Sequence, residues 1–171
     1  FMFSFLGARC RHGFAAAAAM LAVLFALIGE PCHAAVARIG TPASQFAVSN
    51  TLSSFTVAAG VNRLLLVTAA DPLAVDVSGV TFAGTAMTRA TQAVNDVAVA
   101  SIWYLPLGSS ATATSGNVVM TSAGGEQRFL AATVFEGVLQ QTPVNSPQTA
   151  RKDFSGNSSL TLTSSAGDMT F

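Results

Sequence analysis

The side chains able to do acid–base or nucleophilic chemistry are few and unevenly placed along the 171 residues. Both cysteines (Cys10, Cys32) and both histidines (His12, His33) fall in the N-terminal stretch. From residue 35 onward there remain the carboxylates of Asp71, Asp76, Asp96, Glu126, Glu136, Asp153 and Asp168, with Lys152 and Tyr104. Two carboxyl groups facing each other across a cleft at roughly 5–10 Å can hydrolyse glycosides. No pair here is singled out by spacing: Asp71, Asp76 and Asp96 stand at expected strand ends or turns, where aspartate caps backbone N–H groups, and Glu136 closes an otherwise apolar run. Calcium needs only hard oxygen ligands. Asp71 with Asp76, and Asp153 with Asn157, are the candidates, but neither segment has EF-hand spacing. A serine nucleophile needs an activating base, and that role would fall to Lys152, held between Arg151 and Asp153 in a polar stretch. The expectation is therefore no catalytic residue, no metal and no cofactor, and a protein that is not an enzyme.

Trp103 is the residue most compatible with binding. It is the only tryptophan, at the centre of residues 97–107 (VAVASIWYLPL) beside the only tyrosine, Tyr104. An exposed indole on a sheet face stacks on sugar rings or anchors a protein partner; the competing reading covers it with a facing sheet or loop, as large aromatics usually are. Side chains alternate along a strand, so Ser101 and Trp103 share one face while Ile102 and Tyr104 share the other. The polar Ser101 marks the Trp103 face as the wetter one. The sequon Asn157-Ser158-Ser159 matches a pattern that arises often by chance.

These residues must be positioned by the chain beyond the N-terminal stretch. Residues 1–35 read as a secretory signal peptide of helix-forming composition: Arg9, Arg11 and His12 form a positive region, residues 14–28 (FAAAAAMLAVLFALI) an apolar core, and small residues allow cleavage after Ala34, Ala35 or Ala37. A membrane-spanning helix needs ~20 apolar residues, and this run stops sooner, at Gly29-Glu30-Pro31. No membrane partner is expected after cleavage. Removing the segment leaves no residue able to form a disulfide, and a near-neutral remainder of about −1, from Arg38, Arg63, Arg89, Arg128, Arg151 and Lys152 against the acids already named. Without a basic patch, nucleic acid is not an expected partner. Residues 36–171 are of a size for one domain.

Along that domain, an edge strand is expected near residues 45–48 and another strand over 54–58. Residues 63–70 (RLLLVTAA) form an apolar run between turn signals, as in a central strand covered on both sides. Residues 77–82 and 85–91 flank Ala83-Gly84 as a hairpin. Strands come next over 97–107, 117–121, 128–136, with Phe129, Ala131, Thr133 and Phe135 on one side, and 158–163. Residues 137–157 read as a long surface connection. The chain stops after Gly167-Asp168 as another strand begins, which suggests a domain truncated at its C-terminus with an open edge. Eight or so short strands without helical periodicity define an all-β antiparallel sandwich or barrel.

The succession Asn62-Arg63-Leu64-Leu65-Leu66-Val67, Val80-Thr81-Phe82-Ala83-Gly84-Thr85-Ala86-Met87-Thr88, Ile102-Trp103-Tyr104-Leu105, Val134-Phe135-Glu136-Gly137-Val138 with Thr142-Pro143, and Ala166-Gly167-Asp168-Met169 resembles a β-sandwich module that recurs in exported bacterial proteins. The resemblance implies a jelly-roll-like sandwich, or alternatively an immunoglobulin-like one, at a secreted or cell-surface location, the periplasm included; it brings no catalytic residues. The expected role is a non-catalytic surface, adhesive or accessory binding module whose partner is a glycan or a cell-surface protein. The alternatives are a carbohydrate-binding module or glycosidase fragment, and a structural subunit assembling through an open edge strand.

Overall fold

The computed structural model describes residues 35–73, 75–145, 147–149, 161, 168 and 169. Residues 1–34 of the expected signal peptide fall outside these residues, as do Lys152, Asp153, Asn157 and, apart from Thr161, the strand expected over 158–163. Residues Ala34–Phe171 form one compact unit.

Nine strands make up the described fold: β1 (Ala37–Ala47), β2 (Thr51–Val57), β3 (Gly60–Asp71), β4 (Val77–Phe82), β5 (Thr85–Ala86), β6 (Thr88–Val94), β7 (Val99–Ser110), β8 (Thr114–Ser122) and β9 (Arg128–Glu136). They form a five-stranded sheet in the order β1-β9-β3-β7-β6 and a four-stranded sheet in the order β2-β8-β4-β5. Every pairing is antiparallel, and no helix occurs among the described residues. The described residues thus form an all-β, sandwich-like fold.

One apolar core joins the two sheets. From the five-stranded sheet come Leu65, Val67, Ala69, Val99, Trp103, Leu130, Ala132 and Val134; from the other come Leu52, Phe55, Val57, Val77, Val80, Phe82, Val118 and Met120. The inner residues of β3, β7 and β9 are opposed in register, Leu65 to Leu105 and Val134, Val67 to Trp103 and Ala132, Ala69 to Ser101 and Leu130. On the four-stranded sheet, Phe55 of β2 and Phe82 of β4 meet edge to face, with ring centroids 6.4 Å apart, the arrangement favoured by the aromatic quadrupole.

The five-stranded sheet also buries apolar residues on its outer face. Leu64, Leu66, Phe135 and Val138 cluster there, with Val36, Ile102 and Tyr104 packed against them. This explains the unbroken apolar run of β3, a central strand covered on both faces. The chain leaving β9 turns onto the start of β3, with Gly137 N donating to Val61 O (2.9 Å) and Val138 N to Asn62 O (3.1 Å).

Two local expectations are corrected. The Ser101–Trp103 face of β7 is the inner face, not the wetter one: Ser101 is 1% exposed and Trp103 5%. The hairpin about Ala83-Gly84 is also shorter than the sequence suggests. Ala83 (φ 48°) and Gly84 (φ 82°) both take the left-handed conformation of a tight turn, but only Phe82↔Thr85 and Thr81↔Ala86 pair across it. At Met87 the chain crosses to the other sheet: Met87 N still donates to Val80 O (2.9 Å), its side chain enters the shared core, and β6 begins at Thr88 against β7. Burying a methionine between the layers outweighs extending a two-stranded ribbon.

Candidate functional site

Trp103 stands in the middle of the inner face, fixed by hydrogen bonds rather than presented to solvent. Its Nε1 donates to Ser101 Oγ (2.8 Å), and Ser101 Oγ donates to the Ala69 carbonyl on the neighbouring strand (3.1 Å). The short spacing Ser101-x-Trp103 places hydroxyl and indole on one strand face, which lets the serine satisfy a buried N–H. Arg89 of β6 lays its guanidinium carbon 5.4 Å from the indole centroid, within cation–π range. Arg89 Nη1 also donates to Gln92 Oε1 (2.6 Å), Asp76 Oδ1 (3.3 Å) and Val77 O (3.3 Å), while Gln92 Nε2 donates to Asp76 Oδ1 (2.8 Å). The arginine therefore ties the β6 edge to the start of β4 and shields the indole from that side.

The acids are engaged separately. Asp76 belongs to the half-exposed Arg89 cluster. Asp71, at the end of β3, is buried with Arg128 of β9: Arg128 Nε donates to Asp71 Oδ2 (3.2 Å), Ser122 Oγ donates to the same oxygen (2.7 Å), and the backbone N of Leu73 donates to Oδ1 (3.0 Å). Burial alone would raise this carboxyl's pKa, but the three hydrogen bonds and the guanidinium charge outweigh it and hold the pKa below its ordinary value. Gly124 lies against the carboxylate, where a Cβ would come within 2.8 Å of Oδ2. Arg128 Nη1 reaches on to Val48 O (3.4 Å), so one ion pair fastens the ends of β1, β3, β8 and β9. Asp71 and Asp76, the acids weighed as a calcium pair, thus answer to different arginines. Among the described residues no three His, Cys, Asp or Glu side chains cluster. Glu136 Oε2 accepts from Val61 N (3.3 Å) at the other end of β3.

That other end is closed by Arg63. It is buried, and its fork donates to three carbonyls, from Nε to Gly108 O (3.1 Å), Nη1 to Ala58 O (3.1 Å) and Nη2 to Leu107 O (3.4 Å). Alternation along β3 puts Arg63 and Asp71 on the same face as Leu65, Val67 and Ala69, so the core lies between two polar closures.

What sequence reasoning did not single out is an apolar end of the sandwich. The loops β1–β2, β3–β4 and β6–β7 carry Val48, Leu73 and Val97, exposed by 60%, 53% and 49%, and Phe46, 63% exposed, lies opposite the partly exposed Phe129 where β1 meets β9. Register places all of them at one end, since Phe129 also pairs with Ala70 and Asp71 with Val99. A single valine or leucine in a loop carries no sequence signal; only the topology brings these together. The fold and its polar groups define a sandwich-like all-β protein whose buried ionisable side chains bind other parts of the scaffold. Compared with protein-family models, with curated proteins and with solved structures, the chain matches none.

Proposed function

We propose that this chain is a secreted, non-catalytic β-sandwich module of a surface, adhesive or accessory binding type, with a glycan or a cell-surface protein as its partner. The observation that carries this reading is the engagement of the buried polar side chains. Arg63 binds three strand-end carbonyls, Asp71 and Arg128 bind each other and the loops around them, and Ser101 binds the indole and Ala69. No buried side-chain nitrogen or oxygen among the described residues is left without a hydrogen bond. A general acid or base must instead be free to reach a substrate proton. Export is supported by the positive, apolar and small-residue succession of residues 1–35. We read the path as a jelly roll rather than an immunoglobulin-like sandwich: β1, β2, β3 and β4 alternate between the sheets and β9 returns between β1 and β3, as two interlocked Greek keys require.

The test is a combined binding and turnover screen on the chain from Ala35 against a glycan array, soluble polysaccharides and intact cell surfaces. Saturable retention without release of reducing ends is the expected result. Hydrolysis of a polysaccharide, lost in Glu136→Gln or Asp76→Asn, would replace this reading with the glycosidase alternative.

A further inference from the structure

Asp76, Arg89 and Gln92 meet at the margin of the sandwich, where β6 ends the five-stranded sheet and faces the start of β4. Resting on the reading of this chain as a glycan-binding module, we propose that these three side chains are the contact site for a neutral pyranose. Neighbouring sugar hydroxyls bridge them, and Trp103 positions Arg89 from beneath.

The first observation is how closely Arg89 is held for a residue of its exposure. Its side chain is 41% exposed, yet its guanidinium rests over the Trp103 indole at 5.4 Å. Its Nη1 also donates to Gln92 Oε1, Asp76 Oδ1 and the Val77 carbonyl. Fixing a long side chain in one rotamer costs entropy, and an ion pair this exposed returns little stability in exchange. The same ordering is what a binding site needs, because a group fixed in advance loses no freedom when its ligand arrives. Trp103, only 5% exposed, is then the platform of the contact residue and not of the sugar.

The second observation is the hydrogen-bonding capacity the cluster leaves unused. Arg89 makes its bonds through Nη1, Asp76 accepts through Oδ1, and Gln92 Nε2 spends one of its two hydrogens on Asp76. Among the described residues, Arg89 Nε and Nη2, Asp76 Oδ2 and the second Gln92 amide hydrogen have no protein partner. Donors and an acceptor thus stand side by side in a group of side chains whose members already hold one another in place.

That combination selects the ligand. A hydroxyl both donates and accepts, so two neighbouring hydroxyls of a sugar ring can give a hydrogen bond to Asp76 while taking one from Arg89 or Gln92. Bonds to ionised partners are the stronger class. Within the cluster the charges of Arg89 and Asp76 cancel. A carboxylate or phosphate would have to compete with Asp76 for Arg89, and an ammonium group with Arg89 for Asp76. A neutral polyhydroxylated ring meets neither obstacle.

The experiment follows the chain from Ala35 through native gels containing galactomannan, dextran or a β-glucan as neutral polymers, or polygalacturonate as an acidic one. Retardation by a neutral polymer is the expected result. Asp76→Ala, Arg89→Lys and Gln92→Ala should each weaken it by about tenfold, the factor for losing one such hydrogen bond. Thr56→Ala and Ser115→Ala, which break an exposed hydroxyl pair (2.8 Å) between β2 and β8, should leave it unchanged. All five variants should unfold close to the parent's urea midpoint. Because Arg89 lies on the only tryptophan of the chain, the retarding polymer should also alter Trp103 emission, and Arg89→Lys should abolish that change. Retardation that survives all three cluster variants would put the glycan elsewhere, overturning this site while leaving the glycan reading intact. Failure of every neutral polymer would overturn the neutral-pyranose site, and if the array also retains no glycan, the glycan reading falls with it. Stronger retardation by polygalacturonate would overturn the site as well. So would a large fall in the urea midpoint with retardation unchanged, since the cluster would then only tie β6 to β4.

Discussion

Asp71 shows how one residue links sequence, packing and acid stability. Its carboxylate gives up hydration at the end of β3 and regains it from Ser122, the Leu73 N–H and Arg128. Removing one partner of such a pair leaves the other charge buried and uncompensated, which typically costs about 3–5 kcal/mol. Asp71→Ala should therefore lower the urea midpoint strongly at pH 7. The pH dependence comes from the direction of the shift. The folded carboxyl titrates below its ordinary value, so its contribution is fully present above the unfolded pKa of about 3.9 and is lost as pH falls through the folded value. Denaturation measured from pH 7 down to pH 3 should show stability falling below about pH 4 in the parent. In Asp71→Asn that part of the acid loss should be missing; an unchanged acid limb would assign it to other carboxylates. The sequence placed Asp71 at a strand end but not its partner, because Arg128 lies 57 positions away and only the β3–β9 pairing joins them.

At the scale of elements, the strands were legible wherever periodicity or an apolar run recorded burial. Residues 128–136 coincide with β9, and residues 63–70 lie within a central strand covered on both faces. The crossover at Met87 and the orientation of β7 were not legible, because each depends on what faces the strand. Ser101 reads as a solvent marker until the indole N–H and the Ala69 carbonyl are seen to need it. Close approach between elements is similarly silent. Gly116 of β8 packs under the β4–β5 turn, and a Cβ there would lie 2.6 Å from Ala83 Cβ and 3.2 Å from Ala83 Cα. Ala83 is already held in a left-handed turn by its N–H bond to Asn117 O (3.0 Å), so it cannot retreat cheaply. Gly116→Ala should cost about 1–3 kcal/mol as an overpacked contact, read as a lower denaturation midpoint with an unchanged slope. Gly125→Ala, which meets nothing within 4 Å, is the matched control and should be close to neutral.

For the whole molecule, the arrangement of polar groups is as telling as the core between them. Arg63 closes one end of the inner face and the Asp71–Arg128 pair closes the other, both reached from the same strand, β3. Eight residues at ~3.3 Å each separate Arg63 from Asp71 by about 26 Å, well beyond the 7–10 Å within which substitutions usually couple. Removing the Arg63 fork strands three carbonyls and should cost on the order of 2–3 kcal/mol. If the sandwich unfolds as one cooperative unit, Arg63→Ala and Asp71→Ala should each shift a single transition and add in the double variant to within about 0.5 kcal/mol. Two resolved transitions in either single variant would mean that an end of the sandwich opens by itself, and a double variant much less destabilised than the sum would mean that the closures communicate along β3. Additivity would instead make the two closures energetically independent, each acting by itself on the one cooperative unfolding of the sandwich.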